Sequence, residues 1–249
     1  MLPEQEELLS RIAQPLLTWY DSNRRVLPWR EDPTPYHVWV SEIMLQQTRV
    51  EAVKEYYARF LRELPTIRDL AEAEEDLLLK LWEGLGYYNR VRNMQKCAQV
   101  IEREYGGRMP GNYEELLALP GIGNYTAGAI SSIAFGQVNP AVDGNVLRVV
   151  TRLTDCHDDI LDAGTKRSVR AALSAVMPES GADIRIFNQA MMELGATVCG
   201  PNTAPRCDDC PVSGLCLGRQ RGTAETLPVK KAKKERRVEE KTVLLLMRD

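Results

Sequence analysis

Four cysteines near the end of the chain could hold a metal centre. Cys199, Cys207, Cys210 and Cys216 are spaced Cys-x7-Cys-x2-Cys-x5-Cys. In a reducing compartment, four thiols this close together are typical of a metal site rather than a disulfide framework. Zinc and an iron–sulfur cluster both accept four cysteine ligands. Because only Cys207 and Cys210 form the short pair usual for structural zinc, the spacing favours an iron–sulfur cluster and leaves zinc as the alternative.

A glycine-rich turn between two short helical segments could bind an anion. Residues 114–119 predict a helix, Pro120 to Gly123 a turn, and the run from Asn124 onward a second helix. Gly121 and Gly123 let the backbone approach a ligand closely, and the free N–H groups at the start of the second helix can bind a phosphate. Taken alone, the segment is equally typical of an ordinary helix–helix turn.

Two acidic residues have surroundings that suit acid–base chemistry. Asp143 precedes the helical run 146–150, where an aspartate is most often an N-cap with its carboxylate fixed at the helix end. Glu42 lies between Trp39 and Ile43 beside an apolar stripe, and burial there would raise the pKa of its carboxyl, as a general acid requires. Taken alone, helix capping and partial solvation would explain both residues equally well.

The elements that must position these residues are helical. Apolar residues at spacings of three and four predict a first helix that ends by Asn23, and another from near Tyr36 whose apolar stripe continues through Val50 and Val53. Further helices are predicted at about residues 66–83, 88–105, 112–119, 124–135, 144–154, 163–177 and 183–197. Because strand patterns are nearly absent before the last ten residues, the predicted fold class is all-α.

Charge and hydropathy limit the classes of partner that the chain could bind. The chain has a formal charge of −3, divided into −8 over residues 1–216 and +5 over residues 217–249. A nucleic acid could therefore bind the body only through local geometry rather than through the net field. No stretch approaches the roughly 18 apolar residues of a membrane span, and the start is acidic where a secretory signal would be basic. We expect a cytoplasmic protein without a membrane partner, in the bacterial cytosol or nucleoid.

Six motifs, in order, resemble those of the MutY family of adenine DNA glycosylases, within the helix-hairpin-helix DNA glycosylase superfamily. The resemblance covers about residues 4–220. The motifs are Pro28-Trp-Arg30, Trp39-Val-Ser-Glu-Ile-Met-Leu-Gln-Gln-Thr48, Gly84-Leu-Gly-Tyr-Tyr88, Leu119-Pro-Gly-Ile-Gly-Asn-Tyr-Thr-Ala-Gly128, Pro140-Ala-Val-Asp-Gly-Asn-Val146 and the four cysteines. The first two cysteines are separated by seven residues where the family has about six, a difference that one extra loop residue explains.

The resemblance implies a two-lobed helix-hairpin-helix fold with a C-terminal loop that binds a 4Fe–4S cluster. Residues 26–134 would form a six-helix barrel lobe with the hairpin, and residues 1–25 with 135–220 would form the cluster lobe. The run 221–240 reads as a solvated basic linker. Residues 241–249 read as the first strand of a truncated C-terminal domain, which in the family recognises 8-oxoguanine.

The family reaction removes adenine mispaired with 8-oxoguanine or guanine from double-stranded DNA, after the base is flipped out of the helix. By motif match, Glu42 protonates adenine and Asp143 faces the sugar, while Tyr125 and Asn145 support the intermediate. Endonuclease III, a related lyase, has a lysine where this chain has Tyr125. The resemblance therefore implies a monomeric, monofunctional glycosylase that leaves an abasic site.

Motif matches also imply the residues that contact DNA. Arg30 and Leu45 match positions at the adenine pocket. Gln47 and Tyr87 match positions that enter the helix around the orphaned base. Their matched neighbours in DNA contact are Gln46, Thr48, Leu85 and the hairpin residues Gly121 and Gly123. Two alternatives are a thymine mismatch glycosylase of the same fold and a non-catalytic, metal-stapled DNA-binding module.

Overall fold

A computed structural model describes residues 3–179, 184–201 and 204–231. Within these ranges the chain is helical and forms no strand, which confirms the all-α prediction. The helices are α1 (Pro3–Arg11), α2 (Ala13–Asn23), α3 (Pro28–Glu31), α4 (Pro35–Leu45), α5 (Val50–Glu63), α6 (Ile67–Glu72), α7 (Glu75–Trp82), α8 (Asn89–Tyr105), α9 (Tyr113–Ala118), α10 (Asn124–Ala129), α11 (Gly144–Leu153), α12 (Ala163–Glu179), α13 (Ile184–Thr197) and α14 (Leu217–Gln220). A π-helical turn (Ile130–Ala134) follows α10, and two 3-10 turns (Cys207–Asp209, Ser213–Leu215) precede α14.

The buried apolar side chains form two separate cores. The first core extends from Leu27 to Ala141 and is built by α3–α10 and the π-helical turn, which we call the hairpin lobe. The second joins residues of α1 and α2 to residues between Val146 and Cys216, which we call the cysteine lobe. The cysteine lobe is therefore built from two stretches that lie on either side of the hairpin lobe in the sequence. The exact boundaries predicted for the two lobes remain a proposal.

Helix α4 lies at the centre of the hairpin lobe and is nearly all buried. The Thr34 side chain caps its start by accepting from the His37 N–H, and Pro35 occupies the first turn. The prediction that this helix continues through Val53 is wrong. It ends at Leu45 because Gln46 has an extended backbone with ψ 109°, and Gln47 then adopts a left-handed φ of 59°. That conformation costs about 1–3 kcal/mol, and no glycine or proline signals it in the sequence.

Three other predicted helices are interrupted. The first predicted helix, which ends by Asn23, divides at Ile12 into α1 and α2. The segment predicted as one helix over 66–83 divides at Ala73, whose extended backbone separates α6 from α7. The segment predicted over 124–135 changes from α to π geometry at Ile130. Such π turns frequently mark functional sites. This one contributes Ile133 to the cavity described below.

The start of the predicted basic linker packs against the cysteine lobe. Leu227 is buried, and the Val229 carbonyl accepts a hydrogen bond from the Ile160 N–H. Arg221 pairs with Asp155 at 2.8 Å. Residues 221–229 are thus not the solvated segment that their composition suggests. The rest of the predicted linker from residue 232 and the predicted strand 241–249 lie outside the described residues. Among the described residues, no helix is long and apolar enough to cross a membrane.

Candidate active site

A cavity of about 510 Å³ lies between the two lobes, within the size range of pockets that enclose small ligands. The hairpin lobe contributes α3, α4 and α10, and the cysteine lobe contributes α11 and α13. All four predicted catalytic residues line it, namely Glu42, Tyr125, Asp143 and Asn145. So do five of the predicted DNA-contacting residues, namely Arg30, Leu45, Gln46, Gln47 and Thr48.

Glu42 is a buried carboxyl group, with only 7% of the residue exposed. Burial raises its pKa to about 7, opposed by the Tyr125 hydroxyl and reinforced by the charge of Asp143. The Tyr125 hydroxyl donates to Glu42 Oε2 over 2.5 Å and lies 3.4 Å from the Met192 sulfur. Near neutral pH this carboxyl can therefore retain a proton and transfer it to a basic atom in the cavity.

Asp143 is the N-cap of α11, as its position before a helical run predicts. Its Oδ1 accepts from the Val146 N–H over 2.8 Å, and its Oδ2 accepts from the Asn145 amide over 2.6 Å. Burial raises the pKa of Asp143, and these hydrogen bonds oppose that rise. A carboxylate fixed in this way can stabilise positive charge that develops beside it.

Asn145 and Arg148 connect this carboxylate to the first cysteine. The Arg148 guanidinium donates to Asn145 Oδ1 over 2.9 Å and to the Cys199 carbonyl over 2.7 Å. Helix α13 approaches Asn145 closely because Gly195 has no side chain, since an added Cβ would lie 2.6 Å from Asn145 Cβ. Arg148 therefore links the Asn145 amide, which holds the Asp143 carboxylate, to the backbone at Cys199.

Arg30 is held by an acid that the sequence analysis missed. Glu193 on α13 is 1% exposed and accepts from Arg30 over 2.8 Å and from Arg25 over 2.7 Å. Burial alone would raise the pKa of Glu193, but the two guanidinium groups hold it at about 2. This ion pair orders the cation at the cavity wall. The only sign of this role in the sequence was a glutamate among the apolar residues Met191 and Leu194, which α13 buries together with it.

The four cysteines come together around one small chamber in the cysteine lobe. Cys199, Cys207, Cys210 and Cys216 all line it together with apolar side chains, and none forms a disulfide. Arg152 Nη1 donates to Cys199 Sγ over 3.2 Å. Among the described residues no three ligand side chains converge as a single ion requires. Four thiols that line one chamber supply a donor set that an iron–sulfur cluster takes, and one that structural zinc also takes.

The remaining predicted DNA-contacting residues lie outside the large cavity. Tyr87 is 66% exposed with a left-handed φ of 49°, whereas Leu85 is buried. Gly121 in the turn between α9 and α10 has φ +76°, and a Cβ there would lie 2.9 Å from Asn93 Cβ. Gly123 is not left-handed and faces open space. These positions leave the Tyr87 ring and the hairpin backbone accessible to a large ligand.

Other residues that line the cavity were not predicted from the sequence. They come from the connection between α2 and α3, from α4 and from α13, and include Arg25, Ser41, Gln189 and Met192. Their side chains reach the site through packing of α13 against α2 and the π-helical turn. Motif spacing in one segment carries little information on such long-range contacts.

Comparison with protein families gives a match over the middle of the chain. The model described as HhH-GPD superfamily base excision DNA repair protein matches residues 40–179. That interval includes both buried carboxyl groups and the glycine turn, whereas the four cysteines lie beyond it.

Curated relatives and a solved structure extend the similarity. The chain is 46% identical over 226 residues to an adenine DNA glycosylase of Rattus norvegicus, covering 86% of this chain and 43% of that protein. It is 38% identical over 223 residues to an adenine DNA glycosylase of Buchnera aphidicola, covering 89% of this chain and 63% of that protein. The chain thus spans less than two thirds of each of these relatives. A solved thermostable thymine-DNA glycosylase is 28% identical with a TM-score of 0.75, covering 88% of this chain and 98% of that one.

The contact between Tyr125 and Glu42 predicts the result of removing one hydroxyl. In a Tyr125→Phe variant we expect the pKa of Glu42 to rise above its value of about 7, because a hydrogen bond to the charged carboxylate is lost while burial remains. Carboxyl carbon NMR of the glutamate-labelled protein measures this pKa, and a Glu42→Gln variant assigns the resonance.

Tyr113→Phe is the matched control, because that hydroxyl donates to Asn124 rather than to Glu42. It should leave the Glu42 titration unchanged. A lower pKa in Tyr125→Phe would contradict the hydrogen-bond direction described here.

Proposed function

Because this chain belongs to the HhH-GPD superfamily of base excision DNA repair proteins, we propose that it is a monofunctional DNA glycosylase that removes mispaired adenine. Its substrate is double-stranded DNA in which adenine lies opposite 8-oxoguanine or guanine, and its product is an abasic site. The observation that carries the proposal is one cavity that contains a carboxyl with a pKa near 7 and a fixed carboxylate.

Breaking a glycosidic bond requires two different carboxyl groups. The base is a poor leaving group as an anion, and the sugar becomes a cation as the base departs. We assign the acid to Glu42, which burial keeps partly protonated at neutral pH, and the cation-stabilising group to Asp143. Two relatives described as adenine DNA glycosylases support adenine as the base, since N7 of a purine can accept the Glu42 proton.

The reaction steps follow from this assignment. The flipped adenine enters the cavity beside Arg30 and Leu45, and Glu42 donates its proton to N7. The bond between C1′ and N9 then breaks, its electron pair stays with the base, and Asp143 stabilises the resulting oxocarbenium-like sugar. Water adds at C1′ and its proton passes to the Glu42 carboxylate, which restores the acid. Tyr125 orients Glu42, and no lysine occurs between Lys96 and Lys166 to form a Schiff base with the sugar.

DNA binding follows from local geometry rather than net charge. Gln46, Gln47 and Thr48 border the cavity mouth, and the Tyr87 ring is exposed. The backbone N–H of Asn124, which follows Gly123 at the start of α10, would bind a phosphate oxygen. All of these residues belong to one chain, so the protein would act as a monomer.

The cofactor we propose is a 4Fe–4S cluster on Cys199, Cys207, Cys210 and Cys216. When bound, such a cluster links four points of the loop covalently and so fixes its shape. This chain transmits that shape through Arg148, which contacts both the Cys199 carbonyl and Asn145. The proposed function of the cluster is therefore structural support of the Asp143 carboxylate.

Base release from three duplexes tests the proposed activity. In single-turnover assays we expect release of A opposite 8-oxoguanine and of A opposite G, but not of T opposite G. Strand cleavage should require subsequent hot alkali, because the enzyme itself forms no Schiff base. Preferred release of T would favour the thymine glycosylase to which the chain is 28% identical, and no release from any duplex would favour a binding module.

The pKa of Glu42 predicts the alkaline side of the rate profile. The single-turnover rate should fall as the pH rises through about 7, because the proton donor is lost above its pKa. Glu42→Gln should reduce the rate by about 10²–10⁴ and remove this alkaline limb. Glu72→Gln, on an exposed pair with Arg68, is the control and should keep the wild-type profile. A rate that increases through this pH range would contradict Glu42 as the acid.

The cysteine chamber predicts the metal content. Protein purified without oxygen should show broad visible absorbance and about four iron and four sulfide per chain. Cys210→Ser should lower this content, whereas Cys156→Ser, in a loop outside the chamber, should not. A colourless protein with about one zinc per chain would contradict the cluster.

A further inference from the structure

Arg90, at the start of α8, joins two loops that are separate in sequence. We call residues 46–49, between α4 and α5, the Gln loop, and residues 83–88, between α7 and α8, the Gly loop. Arg90 Nη1 donates to the Gln46 carbonyl over 2.7 Å and to the Ile43 carbonyl over 2.9 Å. Its Nη2 donates to the Leu85 carbonyl over 3.0 Å and to the Gly86 carbonyl over 3.2 Å. Nη1 therefore binds the Gln loop, and Nη2 binds the Gly loop.

Both loops carry a left-handed residue directly after a carbonyl that Arg90 binds. Gln47, with φ 59°, follows Gln46, and Tyr87, with φ 49°, follows Gly86. Neither residue is a glycine, so each conformation needs support from its surroundings. The hydrogen bonds from Arg90 fix the preceding peptide groups and so supply that support in both loops.

The rings around Arg90 fix its plane. The guanidinium carbon lies 5.5 Å from the centroid of the buried Trp82 ring and 5.5 Å from that of the exposed Tyr87 ring. Trp82 also donates to the Gly86 carbonyl over 3.0 Å. Within the described part of the chain, no carboxylate forms an ion pair with Arg90. Its charge is directed at backbone carbonyls, which include those at the negative end of α4.

We propose that Arg90 is a positioning residue that sets the spacing of the Gln loop and the Gly loop, so that Gln47 and Tyr87 enter the DNA together when the base is extruded. This inference rests on the proposed function. Arg90 lines a cavity of about 200 Å³ with Gln46 and Gly121, separate from the one that contains Glu42. It therefore acts on extrusion of the base and not on the bond-breaking step.

A lysine cannot take the place of Arg90 in this arrangement. A guanidinium presents two terminal nitrogens in a rigid planar fork, whereas an ammonium group is a single point of charge. Arg90→Lys keeps the charge and loses the fork. A role in attracting DNA phosphate would survive this substitution, but a role in joining two loops would not.

The experiment compares two duplexes in single-turnover assays. In one, adenine is paired opposite 8-oxoguanine. In the other, it is unpaired in a one-base bulge, where extrusion needs little help. For both Arg90→Gln and Arg90→Lys we expect about tenfold slower release from the paired duplex and nearly wild-type release from the bulge. A 2-aminopurine next to the target should show a smaller fluorescence rise on binding of either variant to the paired duplex.

Arg92→Gln is the matched control, because Arg92 is two residues further along α8 and pairs with Glu75 at the surface. It should behave as wild type on both duplexes. Equal slowing of an Arg90 variant on the paired and bulged duplexes, or wild-type rates in Arg90→Lys, would overturn the proposal. If wild type released no adenine from either duplex, the proposed function itself would fail, while the 2-aminopurine signal would still report whether Arg90 controls unstacking.

Discussion

The site depends on keeping water away from one carboxyl group. Glu42 can retain a proton near pH 7 because α4 is buried on nearly all sides, and this burial outweighs the hydrogen bond from Tyr125, which lowers the pKa of the carboxyl. The cavity must nevertheless stay open enough for a ligand, and it does so by lying where two separate cores meet. The hairpin lobe thus controls the protonation of Glu42, and the cysteine lobe fixes the charged partner, Asp143. Neither lobe alone supplies both a protonated carboxyl group and a fixed carboxylate.

Polar contacts between the two lobes fix the positions of Glu42 and Asp143 relative to each other. Asn188 on α13 is 2% exposed, donates to Ser132 in the π-helical turn over 2.7 Å and accepts from the Ala141 N–H over 3.2 Å. The same helix presents Glu193 to Arg30. Because buried hydrogen bonds are costly to leave unmade, sliding one lobe along the other would break several at once. The segment that leads to Asp143 is therefore held by α13 at Ala141 and by the start of α11 at Asp143.

The sequence predicted features that depend on local spacing. Asp143 before a helical run predicted a helix cap, and the glycine at position 121 predicted a sharp turn, since both follow from a few adjacent residues. The end of α4 and the pairing of Glu193 with Arg30 were not predictable in this way. Gln47 becomes left-handed in a run without glycine or proline, next to a carbonyl that Arg90 binds from 44 residues away. Contacts of that range are set by packing, which a single sequence does not reveal.

The discontinuous cysteine lobe has a consequence for the order in which the chain can fold. The hairpin core uses one uninterrupted stretch, so it can bury its apolar residues while the ribosome is still making the rest. Helices α1 and α2 precede the hairpin lobe in the chain but pack against helices that follow it, as the hydrogen bond of Tyr20 to Gln189 spans 169 residues. Until α12 and α13 are made, α1 and α2 lack the helices against which they mainly pack. The residues of α1 and α2 therefore depend on protection from aggregation for longer than those of the hairpin lobe.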